Sequence, residues 1–521
     1  MYRLNLTPVA IVILPALAII PVAIEVSSTA HIGGLNTLLS FFSAAINPSI
    51  EPIVLSNAWN SLQITIAIAL IGWISSVVFG TILGVLSSNI FWQVFTGRPW
   101  IGNSIRLILA IPRSIHEVIW GLLLLQILGL NPLVAIIAIM IPHSSLMSRV
   151  IANQLDTLNK KSLIAITQSG SGPFAALATS LLPPMRHMFT TYAGYRLECA
   201  LRGATLLGLF GLGGIGTELQ LTIQSLEFRE LWTSLWMLAI SMYCIEKIII
   251  AINRANSSIQ NPRDNGFRNS IFIGLTTIII ISSIKSIQID PLNTIQLDNL
   301  IFPAFLDIKS AFEQLPILSL IYSTIYLTLL SAGIAIGSPP LLMMLCQSKL
   351  SMRILTFVWL FFRLIPPPLS ALLLLLTTTP SISIAALALG ISNIGVMGRL
   401  LKENLSHDNN LLFNSIKSLG GSSLIAWLYG KLSPQSKSYL AFASYRTDVL
   451  LRETAVVGVV GGVGLGWQLQ ESLSSFDWAQ VIVITTTFSL LTLSGELISD
   501  KAREYWIKKT TDPSLCVSLQ S

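Results

Sequence analysis

Two largely apolar stretches of this chain carry charged residues at matching positions. Glu198 and Arg202 are four apart, and so are Asp448 and Arg452. On a helix that spacing puts acid and base on one face, where they neutralise each other. Arg196 and Arg446 have no acid at that spacing and so lack an obvious local partner. A guanidinium presents a planar fork of donors that suits bidentate capture of an oxyanion. The chemistry on offer is a positive potential around a central path. The competing role is structural: an ion pair between helices, or a side chain reaching out to an interface.

These residues belong to a block that occurs twice. Tyr195 to Leu219 reads YRLECALRGATLLGLFGLGGIGTEL, and Tyr445 to Leu469 reads YRTDVLLRETAVVGVVGGVGLGWQL, 250 positions on with no gap. Gly208, Gly211, Gly214 and Gly216 keep step with Gly458, Gly461, Gly464 and Gly466, with Gly213 added in the first copy. Glycines this dense let helices approach closely, or permit a broken helix that lines a cavity. An internal repeat of this size implies two related halves.

A second element also recurs at that offset. Residues 163–185 read LIAITQSGSGPFAALATSLLPPM and residues 413–435 read FNSIKSLGGSSLIAWLYGKLSPQ. Gly170 and Gly420 open a helix-breaking cluster that includes Gly172, Pro173 and Gly421; Pro184 and Pro434 follow, with Pro183 in the first copy. The pattern predicts a glycine turn, a short helix, then a proline that ends it and starts the next helix. Two such elements, one per half, form a docking geometry for a second protein.

Positioning these parts requires a membrane. The chain has 521 residues, 53% hydrophobic and 11% charged, with mean hydropathy +0.73; a soluble domain carries about 25% charged residues. Apolar stretches long enough to span a bilayer are predicted near 8–28, 61–86, 106–130, 132–150, 184–209 and 230–252, and near 269–288, 317–346, 354–378, 380–400, 434–460 and 479–499. The expected fold class is an all-α polytopic membrane protein with about twelve transmembrane helices in two parallel six-helix repeats. The expected organisation is a first half at 1–252, a polar linker at 253–268, a second half at 269–506 and a polar tail at 507–521.

Lys and Arg set the orientation. Loop 29–59 has none and loop 289–316 has only Lys309, whereas Lys160, Lys161, Arg254, Arg263, Lys402 and Lys417 crowd the opposite loops. Both termini are expected in the cytoplasm. The net charge of +7 is then membrane topology, and no nucleic-acid partner is expected. The four cysteines are too scattered for a metal site or disulfide framework.

At the glycine–proline element the chain resembles the permease subunits of ATP-binding-cassette importers. Gly170 with Pro183 thirteen residues on, and the local GSGPF, carry that likeness. The family's Glu-Ala-Ala is replaced by Ile164-Ala165-Ile166 and by Asn414-Ser415-Ile416, and Ser433 stands at the first proline position. YRLECALRGATLLGLFGLGGIG and RSIHEVIWGLLLLQILGL (113–130) resemble phosphonate-type permeases in particular. The resemblance implies coupling loops at Ala165 to Pro184 and Gly420 to Pro434, seated on two ATP-binding subunits. It also implies a periplasmic substrate-binding protein, an inner-membrane location, a phosphorus oxyanion as cargo, and two permease halves fused in one chain. No cofactor is expected on the chain itself; ATP and magnesium would belong to the partner.

No GxxxxGK[ST] occurs, so the energy source is expected elsewhere. His116-Glu117 suggests a proton relay or a helix cap; the second half has Pro366-Pro367-Pro368-Leu369 there. The alternative reading is an ion-gradient-driven secondary transporter of two parallel six-helix halves, which leaves the twin cytoplasmic elements unexplained.

Overall fold

The computed structural model describes residues 7–157, 161–180, 182–257, 303–406 and 411–508, and every regular element among them is helical. The chain divides into two compact units: residues 44–301, and residues 1–43 together with 302–520. The expected first half of 1–252 therefore contributes its opening segment to the unit built from the second half.

That opening segment is α1 (Thr7–Ala16) and α2 (Ile19–Thr29), where one span over 8–28 was expected. Pro21 has no N–H to offer the Leu17 carbonyl, so the helix breaks and restarts; the Ile20 N–H takes that carbonyl at 3.2 Å.

The unit of residues 44–301 contains α3 (Pro52–Leu86), α4 (Glu117–Leu128), α5 (Pro132–Thr157), α6 (Lys161–Gln168), α7 (Pro173–Ser180), α8 (Leu182–Leu209), α9 (Ile215–Gln224) and α10 (Phe228–Ser257). Helices α3 and α5 run against each other through small residues. A methyl group built on Gly80 would lie 2.6 Å from Met147 Cβ, and one on Gly84 would lie 2.8 Å from Ile151 Cβ. Glycine at these points is what permits the contact.

The other unit contains α11 (Ile317–Leu345), α12 (Lys349–Leu364), α13 (Pro367–Leu375), α14 (Ile382–Ser406), α15 (Leu411–Ser418), α16 (Ser423–Trp427), α17 (Ser433–Gly461), α18 (Gly464–Ser474) and α19 (Trp478–Lys508). Gly333 and Gly337 of α11 form the notch that accepts α1: their added methyls would lie 2.3 Å from Ala18 Cβ and 2.6 Å from the Ala16 nitrogen. Glu25 of α2 also accepts a hydrogen bond from the Ser383 hydroxyl. The opening segment is thus fixed to α11 and α14 by close packing and by a polar link.

Helices α5 to α10 recur as α14 to α19, each starting within one residue of the 250-residue offset. Among the described residues, six helices are long and apolar enough to cross a membrane: Pro52–Leu86, Pro132–Thr157, Phe228–Ala251, Ile317–Leu345, Ile382–Leu405 and Trp478–Trp506. Several other expected spans take a different form. The stretch 106–130 is broken into Trp100–Ile108, Ala110–Ser114 and α4. Its counterpart 354–378 bends by 95° between Lys349–Arg363 and Pro367–Leu375. Proline excludes the preceding residue from helical geometry, and Ile365 and Pro366 take ψ of 118° and 144° ahead of Pro367. The stretches 184–209 and 434–460 are continuous helices, α8 and α17, that carry the charged residues. The expected span 269–288, the linker beyond Ser257 and the tail beyond Lys508 lie outside the described residues.

Candidate functional site

The repeated glycines form a tight reversal between a long helix and a short one. In the first copy Gly211, Gly213 and Gly214 all take left-handed φ, at 87°, 92° and 83°. That geometry suits a residue without Cβ. Gly208 and Gly216 then meet backbone to backbone: a methyl on Gly208 would lie 2.9 Å from Gly216 Cα, and one on Gly216 would lie 2.1 Å from the Thr205 carbonyl oxygen. The second copy repeats the crossing, with a methyl on Gly466 at 2.4 Å from the Ala455 carbonyl and one on Gly458 at 2.7 Å from that of Val463. It departs at the turn: Gly461 ends α17 as a helical residue, and Gly462 and Gly464 take the left-handed φ of 66° and 73°. A threonine closes each turn. Thr65 Oγ1 accepts from the Ile215 N–H at 2.7 Å, and Thr324 Oγ1 accepts from the Leu465 N–H at 3.1 Å.

Just before this turn, α8 carries the charged residues. Arg196 is buried. Its Nε donates to the Tyr192 hydroxyl at 2.9 Å, and its guanidinium lies 5.0 Å from the Tyr192 ring and 5.8 Å from that of Tyr195. Such aromatic faces hold a desolvated cation. Glu117, the first residue of α4, interacts electrostatically with Arg196 and with buried His143 of α5. His143 Nδ1 has no hydrogen bond. His116 caps α4, its Nδ1 accepting from the Val118 N–H at 3.2 Å. Arg202 donates to Glu198 at 2.7 Å, as the spacing predicts, and both side chains stay partly exposed.

In α17 Arg446 is buried and donates to Asn393 of α14 and to Glu453, the latter at 3.1 Å. Asn393 Nδ2 in turn donates to Glu453 at 3.0 Å. Arg452 donates to Asp448 at 2.7 Å and to Glu496 of α19 at 3.3 Å, with all three side chains buried. The expectation that Arg196 and Arg446 lack a partner is therefore corrected. Arg446 finds Asn393 on another helix and Glu453 two turns along, while Arg196 bonds Tyr192 one turn back, a neutral partner that a search for acids passes over. Asn393, Glu453, Glu496 and His143 were missed in the sequence. Their signal was present: polar residues at 143 and 393 share the 250 offset, and so do Glu246 and Glu496.

The glycine–proline elements fold as helix, turn, helix. Gly170 and Gly420 take φ of 87° and 83°, with open space around their Cα atoms. The first copy runs α6, turn, α7 from Pro173, then α8 with Pro183 and Pro184 in its first turn. In the second, Ser422 caps α16 by accepting from the Ile425 N–H. The helix then widens by one residue per turn over Leu428–Leu432 before α17 begins with Pro434 near its start. Gly421 fits only as glycine, since a methyl there would lie 2.8 Å from an Ile416 side-chain carbon. Ala165, Gly170 and Gly172 are exposed, as are Leu411, Leu412, Leu419, Leu424 and Ile425 of the second copy.

Paired charges thus recur on two duplicated helices, each pair following an exposed glycine-turn element, as expected of a chain built from two related membrane halves. The chain is 22% identical over 507 residues to the phosphate-import permease protein PhnE of Mycolicibacterium smegmatis, covering 91% of each. It is 23% identical over 204 residues to the phosphite transport system permease protein PtxC of Stutzerimonas stutzeri, covering 39% of this chain and 72% of that one. A cryptic phosphonate transport system permease protein of Escherichia coli is 30% identical over 125 residues, 23% of this chain and 99% of its own. A crystal structure of an amino acid ABC transporter aligns over 39% of this chain and all of its own, with 19% identity and a TM-score of 0.33. No protein-family profile matches. The chain belongs to the permease family of phosphonate, phosphite and phosphate ABC transport systems, with two permease halves in one polypeptide.

Proposed function

We propose that this chain forms the membrane pathway of an ATP-driven importer for a small phosphorus oxyanion. Phosphonate is the preferred cargo, with phosphite and phosphate as its chemical neighbours. The reading includes about twelve spans in two parallel six-helix repeats, both termini in the cytoplasm, and the inner membrane as location. Two ATP-binding subunits and a periplasmic binding protein complete the complex. The observation that carries it is the duplicated glycine-turn element joined directly to the charged helix. In this reading a push on the exposed turn is passed by way of α7 to α8, and by way of α16 and the widened turn to α17, the helices that carry Arg196 and Arg446.

In this reading Ala165, Gly170, Gly172, Pro173, Pro183, Pro184, Gly420, Gly421 and Pro434 form the coupling loops. Arg196, Glu198, Arg202, Arg446, Asp448 and Arg452 set the field around the path, and the glycines at 208–216 and 458–466 form the joint. Closure of the ATPase pair on ATP would draw the coupling helices together and turn the cavity outward; hydrolysis would reset it.

The test is co-purification in a mild detergent from the native host. Wild type is expected to bring down an ATP-binding subunit, and Gly170→Asp with Gly420→Asp to lose it while the chain still reaches the membrane. Uptake by the chain alone on an ion gradient, with no ATPase bound, would overturn the proposal.

A further inference from the structure

A carboxylate has changed position between the halves. In the first half Glu117 opens α4 and faces Gly203 of α8; a methyl on Gly203 would lie 3.2 Å from Glu117 Oε1. The Glu117 carboxylate therefore covers the spot that a side chain at 203 would fill. In the second half the counterpart of Gly203 is Glu453, and the counterpart of Glu117 is Pro367, which has no carboxyl. Glu453 reaches Arg446 at 3.1 Å and Asn393 at 3.0 Å, while Glu117 lies 3.5 Å from His116 Nδ1 and interacts electrostatically with His143 and Arg196. Arg446 is the counterpart of Arg196, and Asn393 of His143.

We infer that each half requires one carboxylate at this partly buried place near its arginine, and that either of two helices can deliver it. Glu117 and Glu453 are thus positioning residues, a functional pair that sequence position alone hides. Charge arithmetic explains why each half has one acid here. With none, a buried guanidinium loses a nearby counter-charge, and with two, an excess negative charge is left in a partly buried place. The mechanical consequence differs between halves. In the first the carboxylate comes from α4 and lies against Gly203 of α8, so it sits between those two helices. In the second Glu453 rides on the same helix as Arg446, and the crossing link falls to Asn393 of α14. The arginines are held against tyrosine or asparagine in either case, and their reach toward the path is fixed by the acid.

The experiment relocates the acid within each half. The full chain is purified to measure its melting temperature. In parallel, uptake of inorganic phosphate is measured in cells that carry the whole transport system; this arm alone rests on the proposed function. Glu117→Ala is expected to lower the melting temperature and cut uptake by about tenfold, and Gly203→Glu alone to harm both. The double variant Glu117→Ala with Gly203→Glu is expected to return uptake to within about twofold of wild type, a coupling that independent sites would not show. Pro367→Glu with Glu453→Gly is the mirror test. Glu117→Gln keeps the shape and removes the charge; it is expected to raise the KM for phosphate at an unchanged level of folded chain. Failure of both double variants to recover melting temperature beyond their damaged single variants would overturn the inference. If wild type takes up no phosphate, the cargo reading fails, and the melting arm still decides the exchange.

Discussion

Leu226 and Phe476 hold the same left-handed backbone 250 residues apart, with φ of 59° and 56°. Each N–H bonds three residues back, to Ile223 and to Leu473, and the next N–H reaches five back, Glu227 to Thr222 and Asp477 to Ser472. This paired bonding closes a helix end and normally uses glycine at the left-handed position. Here a leucine and a phenylalanine, both exposed, bear the steric cost.

That cost makes a prediction. A left-handed residue with a Cβ costs about 1–2 kcal/mol, and neither side chain is buried within the chain. Leu226→Gly and Phe476→Gly are therefore each expected to stabilise the chain, net of the extra entropy of an unfolded glycine, by up to about 1 kcal/mol. Thermal unfolding of the purified chain measures it. A lower melting temperature would mean that these apolar side chains contribute contacts, with lipid or a partner, that outweigh the strain.

The two i,i+4 pairs are alike in sequence and unlike in setting. Arg202 and Glu198 are 31% and 21% exposed, whereas Arg452, Asp448 and Glu496 are all below 10%. Removing Arg452 takes a cation away from two buried carboxylates, and breaking a buried pair costs about 3–5 kcal/mol. Removing Arg202 breaks a partly solvated pair worth about 1 kcal/mol or less. Arg452→Ala is expected to reduce the amount of folded chain severely and Arg202→Ala only slightly, read as yield and melting temperature side by side. Equal losses would show that the halves use these pairs in the same way.

The threonine lid on each glycine turn gives a matched pair of tests. Thr65 and Thr324 each satisfy a backbone N–H that is otherwise buried at the turn. Valine keeps the shape and removes the acceptor, leaving a buried donor that costs about 1–3 kcal/mol. Thr65→Val and Thr324→Val should both lower the melting temperature, and serine at either position should recover most of the loss. No effect in either would mean that the N–H finds another acceptor.

Much of this was legible in the sequence because the repeat supplies its own alignment. Shared spacing located Gly170 with Gly420, Arg196 with Arg446, and the i,i+4 pairs, all before any coordinates. What escaped was of two kinds. Contacts between helices far apart in sequence, such as Arg446 with Asn393, leave no periodic trace. Breaks inside apolar runs were also missed: hydropathy averages over Pro21 and Pro366, while the backbone cannot, since a single missing N–H or an excluded helical ψ ends the helix locally. The placement of α1 against Gly333 and Gly337 is a third case, since complementary small surfaces show no charge or period to match.

His143 and Asn393 offer the sharpest comparison, because one half contains the other's solution. Asn393 accepts from Arg446 and donates to Glu453 with the two ends of one amide. His143 stands at the matching place with a buried Nδ1 that has no hydrogen bond. An asparagine at 143 has both a donor for Glu117 and an acceptor for Arg196, and it removes that orphaned nitrogen. His143→Asn is therefore expected to hold uptake within about threefold of wild type and to raise the melting temperature, since an unsatisfied buried polar atom costs about 1–3 kcal/mol. The reverse change, Asn393→His, holds its donor and acceptor on opposite sides of a larger ring and cannot present both as the compact amide does, so it is expected to lower both. Uptake of inorganic phosphate and thermal unfolding, measured on the two variants together, check the pair. If His143→Asn proves the more damaging of the two, the imidazole has a role of its own that the second half does not share.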